Sequence, residues 1–336
     1  IDTMAAEGLR LERFYAAAPV CSPTRGSVLM GRHPNPFGCF SFGGTLQPEE
    51  FTLAEVLRDA GYATGHFGKW HLGSVRAGDP DCPGESGFDE WLSSPNFFEL
   101  DPLLSRAGEP VKVPGEGSRV VVDAALEFIR GAARKKQPFL AVVWFSSPHD
   151  PYRASPEDLA AYAREPEALR GFYAEITAMD RALGRLRDGL LELGLSGDTL
   201  VWFTSDNGGA EGEGRSELFG GKETLAEGGI RVPCVVEWPG RLARQRSQAV
   251  AGSVDVYPTL LELAGIEVAE QPGPLDGTSL AELFRGRPFE RPEPLGFWVH
   301  PAEGIPVRSV TELIALRDGA PAERASGPDP LPAVED

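Results

Sequence analysis

Four short segments concentrate the residue types that can do chemistry. The first is Cys21-Ser-Pro-Thr-Arg25. Ser22 reads as an N-cap and Pro23 as the first helical residue, so a helix is expected to start here and run inward through Val28 and Leu29. Cys21 then sits at a helix N-terminus, where the macrodipole and free N–H groups favour negative charge. Arg25, one turn on, reaches back to the same spot. A cysteine so placed is either a nucleophile or a buried structural residue. The second segment, Gly65-His-Phe-Gly-Lys-Trp-His-Leu-Gly73, sets Lys69 and His71 between glycines just after a short strand. Open α/β sheets gather their ligands at such strand ends, although a turn plugged by an aromatic ring has the same pattern. The third, Ser146-Ser-Pro-His-Asp-Pro151, carries His149. The fourth, Thr204-Ser-Asp-Asn-Gly208, is followed by Gly220-Gly-Lys222. Asp206 and Asn207 offer hard oxygens of the kind Ca²⁺ or Mg²⁺ takes, and the same tetrad also reads as an Asx-capped turn. Asp150 and Asp180 read as local hydrogen-bonding groups.

The elements that must position these segments alternate along the chain. Apolar runs of strand length occupy residues 9–15, 62–67, 139–146, 200–204 and 232–238. Three of them, at 139–145, 200–203 and 232–238, are nearly continuous, as strands buried on both faces of a parallel sheet are. Helical periods fill 52–60 with Gly61 as C-cap, 120–134, 167–193 and 254–264 with Gly265 as C-cap. The expectation is an α/β fold, doubly wound, with a mostly parallel sheet and helices on both faces. Residues 74–117, rich in Gly, Pro and Asp, read as a long excursion over the sheet edge. From Gly286 onward Pro is dense and strand signals fade, and the last dozen residues read as a disordered tail.

Composition narrows the partners. The 336 residues carry 50 acidic and 32 basic side chains, a formal charge of 32 − 50 = −18. This balance argues against a nucleic-acid or anionic-membrane binder, and an anionic substrate would need a local basic pocket. Hydrophobic residues at 41% suffice for a sizeable core. The four cysteines, Cys21, Cys39, Cys82 and Cys234, are too few and scattered for a disulfide framework, and none forms a C-x-x-C pair. No run is long and apolar enough for a transmembrane helix.

Cys21-Ser-Pro-Thr-Arg25 resembles the C-x-P-x-R signature of the type I sulfatases, arylsulfatase-like members of the alkaline-phosphatase superfamily. Gly68-Lys-Trp-His-Leu-Gly73 resembles that family's second signature. The likeness continues in order through Pro148-His149, Ser205-Asp-Asn-Gly208, Gly221-Lys222, Glu227-Gly-Gly-Ile-Arg-Val-Pro233 and Asp255-Val-Tyr-Pro-Thr259. It implies an alkaline-phosphatase-like catalytic domain over 1–285. A partial C-terminal α+β subdomain and tail would occupy 286–336, with the subdomain represented at best by 296–317. It implies hydrolysis of a small-molecule or carbohydrate sulfate ester, after a maturation enzyme has oxidised Cys21 to formylglycine. One hydroxyl of the hydrated aldehyde attacks sulfur, giving a sulfo-enzyme intermediate, and the second expels sulfate. By the same resemblance Arg25 holds the diol, His71 helps collapse the intermediate, Lys69 and Lys222 neutralise sulfuryl oxygens, and His149 is the general acid. Asp206, Asn207 and the modified Cys21 would ligate one divalent cation, Ca²⁺. A periplasmic, extracellular or lysosome-like compartment is implied too.

Family members begin with a strand ending in an Asp-Asp pair that supplies two further metal carboxylates. Here Ile1-Asp2 matches the helix after that strand. The resemblance therefore implies an N-terminally truncated catalytic domain, with two exposed sheet edges, weak Ca²⁺ binding and low activity. Two other readings stand beside sulfate-ester hydrolysis: a phosphonate monoester or phosphodiester hydrolase of the same superfamily, and an inactive remnant. Trp91, Phe97 and Phe98 are candidates for stacking on a sugar ring, or for plain packing.

Overall fold

A computed structural model describes residues 1–210, 217–267 and 272–298. In chain order the elements are α1 (Asp2–Glu7), β1 (Leu9–Tyr15), α2 (Cys21–Met30), α3 (Leu53–Asp59), β2 (Ala63–Lys69), β3 (Glu90–Ser94), β4 (Leu103–Arg106), β5 (Glu109–Lys112) and α4 (Gly117–Lys135). There follow β6 (Phe139–Trp144), α5 (Pro156–Ala161), α6 (Glu167–Glu192), β7 (Val201–Thr204), α7 (Glu227–Ile230), β8 (Arg231–Glu237), β9 (Gln245–Gly252), α8 (Val256–Ala264) and α9 (Ala281–Phe284). Helix ends follow local chemistry. Thr52 and Glu55 form a reciprocal capping box on α3. Gly31 and Gly265 close α2 and α8 in the left-handed conformation.

Helices cover both faces of the sheet that holds β6. Leu140, Val142 and Trp144 pack toward α2 and α3, through Leu29, Met30, Trp70 and Leu57. Phe139, Ala141 and Val143 pack with Val121, Ala125 and Phe128 of α4. This alternation is the period-two signature of a strand between two helical layers, and the α/β class is as expected.

The sheet arrangement is more mixed than one mostly parallel sheet. The strands form two sheets, β7-β8-β1-β9 and β5-β4-β3-β2-β6. Pairs β1–β9, β2–β3 and β2–β6 are parallel, whereas β1–β8, β7–β8, β3–β4 and β4–β5 are antiparallel. The segment 74–117 is correspondingly not a plain excursion. It adds β3, β4 and β5, the last two joined at Ala107-Gly108, both at positive φ as a two-residue hairpin turn requires. Strands of four residues leave too short a pattern to read, and β9, polar over Gln245-Arg-Ser-Gln248, carries no apolar run.

Two of the strands expected to be buried on both faces, β6 and β7, are only half-buried along their whole length. Each is the outermost strand of its sheet, and among the described residues neither has a partner on its second edge. Both lie near α6, whose Leu186 packs in the clusters containing Val143 and Val201. Residues 286–298 form no helix or strand, yet they pack on the body: Arg291 pairs with the buried Asp255 at 2.6 Å and Phe297 lies against Tyr15. Most of the expected 296–317 subdomain and the tail fall outside the described residues. No helix among those described is long and apolar enough to cross a membrane.

Candidate active site

Cys21 opens α2. The N-cap is Val20, extended at φ −146° and ψ 159°, so Cys21 and Ser22 are already helical and the helix starts two residues earlier than the Ser22 cap expected from sequence. Ser22 instead accepts the Gly43 N–H at 3.0 Å. The Thr24 hydroxyl accepts the Ala18 N–H at 3.2 Å and donates to the Ala18 carbonyl at 2.9 Å, clamping the strand–loop–helix junction. Cys21 is buried, and the Lys69 ammonium donates to its Sγ at 3.5 Å.

Lys69 ends β2 and is 2% exposed. Gly68 before it has φ 112°, and a Cβ there would overlap the Trp144 carbonyl, so only glycine lets β2 lie this close to β6. Burial pushes the Lys69 ammonium below its ordinary range, and the Cys21 side chain counters in part. Arg25 lies over the Trp144 ring at 4.8 Å and donates to the Lys69 carbonyl at 2.8 Å. Its Nε and Nη2 both reach Oδ2 of Asp206, at 2.9 and 2.6 Å.

Asp206 and Asn207 follow β7. Gly208 donates to the Gly229 carbonyl at 2.8 Å, and its Cα approaches the Gly228 carbonyl so closely that no side chain fits. This docks the strand end on α7. Burial alone would raise the Asp206 carboxyl, but Arg25 and Lys69 outweigh it and hold it at about 2. Oδ1 of Asn207 is buried without a partner, the state of a ligand atom awaiting a cation or water. In kind, these oxygens fit Ca²⁺. In number, one carboxylate and one amide are a minority of its usual six to eight oxygens, and no group of three or more His, Cys, Asp or Glu suited to a metal occurs among the described residues.

His71 adopts φ 57°, is 5% exposed, and has both ring nitrogens unpartnered. Burial, then Lys69 and Arg25, drive it well below the usual histidine range, so it is neutral. His149 lies on the loop after β6. Its Nδ1 donates to the Asp150 carbonyl at 2.7 Å, leaving Nε2 to accept from the Lys222 ammonium at 3.3 Å. Burial, then Lys69 and Lys222, lower it to about 4. The Lys222 loop is tied to the cysteine loop by the Glu223 N–H, which donates to the Pro19 carbonyl at 2.9 Å. Charge coupling links the groups further: Lys69, Arg25, Lys222 and His149 all act on His71, and Asp206 acts on His149. Residues spread over two hundred positions thus share one electrostatic site.

Sequence reasoning missed Trp144 under Arg25 and Glu175 behind the His149 loop, because both lie in apolar or amphipathic periods that read as packing. Of the three aromatics considered for sugar stacking, Phe97 stacks on His149 instead, at 5.0 Å and 12°. Phe98 is buried, and Trp91 is half-buried against Gly84. Asp180 accepts from the Ile1 nitrogen at 2.6 Å, a partner 179 positions away rather than a local one.

A family model described as Sulfatase matches residues 1–266. N-acetylgalactosamine-6-sulfatase of Sus scrofa is 32% identical over 340 residues, covering 87% of this chain and 62% of that protein. An ulvan-active sulfatase of Formosa agariphila is 32% identical over 309 residues, covering 85% of this chain and 60% of that one. The chain spans about three fifths of the length of these curated relatives. Among solved structures, Ps i-CgsB in complex with k-i-k-neocarrahexaose superposes with a TM-score of 0.79 at 27% identity, covering 85% of this chain and 70% of that one.

Proposed function

The chain belongs to the sulfatase family of the alkaline-phosphatase superfamily, and from that premise we propose that it hydrolyses a sulfate ester of a carbohydrate to the alcohol and sulfate. The observation that carries the reading is the buried Cys21 at a helix N-terminus with the Lys69 ammonium 3.5 Å from its sulfur, beside Arg25. A sulfate monoanion brought there meets Lys69, Lys222 and Arg25 in a chain whose net charge is otherwise −18. The carbohydrate class is favoured because relatives are named for N-acetylgalactosamine and ulvan, and a structural neighbour holds a carrageenan hexaose.

In this reading Cys21 is the residue that a maturation enzyme oxidises to formylglycine, whose hydrated aldehyde supplies the nucleophilic hydroxyl. Lys69 and Lys222 bind the sulfuryl oxygens and stabilise the charge that builds on them, a preorganised donor of this kind being worth about 3 kcal/mol. Arg25, locked by Asp206 and Lys69, is a fixed cation rather than a mobile one. His71, neutral and unpartnered, is free to accept a proton from the nucleophile. His149 would act as general acid toward the leaving alcohol oxygen with its proton on Nε2, while the Lys222 ammonium, 3.3 Å from that nitrogen, keeps its charge for the sulfuryl oxygens. Asp206 and Asn207 would hold Ca²⁺, which supplies further positive charge near the nucleophile. The test is turnover of an aryl sulfate and of sulfated galactosamine or ulvan fragments by chain co-expressed with the maturation enzyme. An aryl phosphodiester serves as the competing substrate, and faster turnover of that ester would overturn the sulfatase reading.

A further inference from the structure

One buried carboxylate outside this set finds its donors on a single loop. Glu175, in the first half of α6, is 6% exposed. Its Oε1 accepts the Arg153 N–H at 2.8 Å, its Oε2 accepts the His149 N–H at 3.3 Å, and the Ser147 hydroxyl donates to it as well. The loop 147–153 belongs to no helix or strand and contains Pro148 and Pro151, which have no N–H to give. Glu175 therefore replaces the hydrogen-bond ladder that this segment lacks. The placement of the His149 ring depends on that backbone, since its Nδ1 is held by the Asp150 carbonyl of the same loop and its face by Phe97.

We propose that Glu175 is a positioning residue of this site: its ionised carboxylate holds the His149 loop in register with Lys222, and taking up a proton releases it. An ionised carboxylate only accepts, whereas a protonated one carries an O–H into a place where three donors already converge, so at least one bond is lost. Burial pushes the Glu175 carboxyl up to about 7; the three donors hold it down and Glu99 raises it further. The surrounding charges are otherwise engaged. Glu99 pairs with Arg153 at 3.1 Å, Asp158 on α5 pairs with Arg181 at 2.6 Å, and His149 is neutral. The kinetic consequence rests on the sulfate-ester reading, while the structural one does not.

The test uses the full chain. The imidazole resonances are followed by NMR from pH 5.5 to 8.5, with His149 assigned through His149→Asn, alongside kcat and KM for an aryl sulfate on matured enzyme. The His149 signal should shift with a midpoint of about 7, although the ring itself titrates near 4. In Glu175→Gln that step should vanish, with kcat about 10²-fold lower at pH 8 and flat down to pH 6 while KM changes little, as for a misplaced catalytic group. Glu175→Asp should restore part of both. A Gln variant with the wild-type pH profile overturns the proposal. If that variant does not fold, absence of the step in the wild-type titration overturns it instead. A clear step in a chain that turns over no sulfate ester would leave the positioning role standing and refute the function.

Discussion

Arg25 joins the two sheets through Asp206: two of its nitrogens close on Oδ2 beyond the end of β7, and the third donates to the carbonyl of Lys69 at the end of β2. One side chain from α2 thereby fixes the distance between strand ends that share no backbone hydrogen bond. A lysine reaches one of these partners but not both in this geometry. Arg25→Lys should lower unfolding stability by about 2 kcal/mol or more, the pair being only partly exposed, and reduce kcat/KM about 10²-fold. Urea denaturation and steady-state kinetics read the two effects.

Cys21 contributes little packing that alanine would not. Cys21→Ala should leave circular dichroism and the melting temperature close to wild type while removing at least about 10³-fold of the activity, as loss of a nucleophile does. Wild-type turnover by this variant would refute the assignment. Mass spectrometry of the peptide ending at Arg25, from chain matured with its oxidising enzyme, should show the thiol sulfur lost.

If Asp206 and Asn207 hold Ca²⁺ as proposed, they offer it a minority of its usual oxygens. Calorimetry on the chain as described should give a Ca²⁺ Kd no tighter than about 10⁻⁴ M, and Asp206→Asn should abolish it. Tight binding that survives this substitution would mean that other residues form the site.

Stability against pH should show opposed contributions. His149, lowered to about 4, refuses a proton that the unfolded chain accepts near 6.5, so it destabilises the fold as pH falls from 6.5 toward 4. Glu175, raised to about 7, keeps a proton that the unfolded chain loses near 4.5, so it stabilises the fold as pH falls from 7 toward 4.5. Glu175→Gln removes the second contribution alone. Its melting temperature should therefore fall more steeply than wild type between pH 6.5 and 4.5. Asp206, held at about 2, contributes stability that is complete above its unfolded value of 3.8 and lost as pH falls through 2.

Gly68→Ala should fail to give folded chain, or destabilise it by at least about 3 kcal/mol, because positive φ and overlap with the Trp144 carbonyl act together. Soluble yield and hydrogen exchange at β2 and β6 measure this. Gly61→Ala, with nothing near its missing side chain, serves as the milder comparison.

What the sequence determined by itself was local. A helix within the Cys21-Ser-Pro-Thr-Arg25 segment, the strand before Lys69, the apolar run before His149 and the one before Asp206 are each written in a few adjacent residues, by residue preference and hydrophobic period. The helix nonetheless starts two residues before the Ser22 cap that the sequence suggested. The candidate site residues follow from those strand ends, together with the family likeness. The tertiary structure decided what depends on partners distant in the chain. Strand direction and the division into two sheets are properties of pairs, so β6 and β7 carry the apolar runs of central strands while lying at sheet edges. Trp144, Phe97 and Glu175 look like ordinary packing residues in their own segments. Their roles against Arg25, His149 and the 147–153 loop arise only when segments up to 119 positions apart, such as Arg25 and Trp144, are brought within 5 Å. Burial then sets their charge states, and burial is a property of the assembled core rather than of any stretch of sequence.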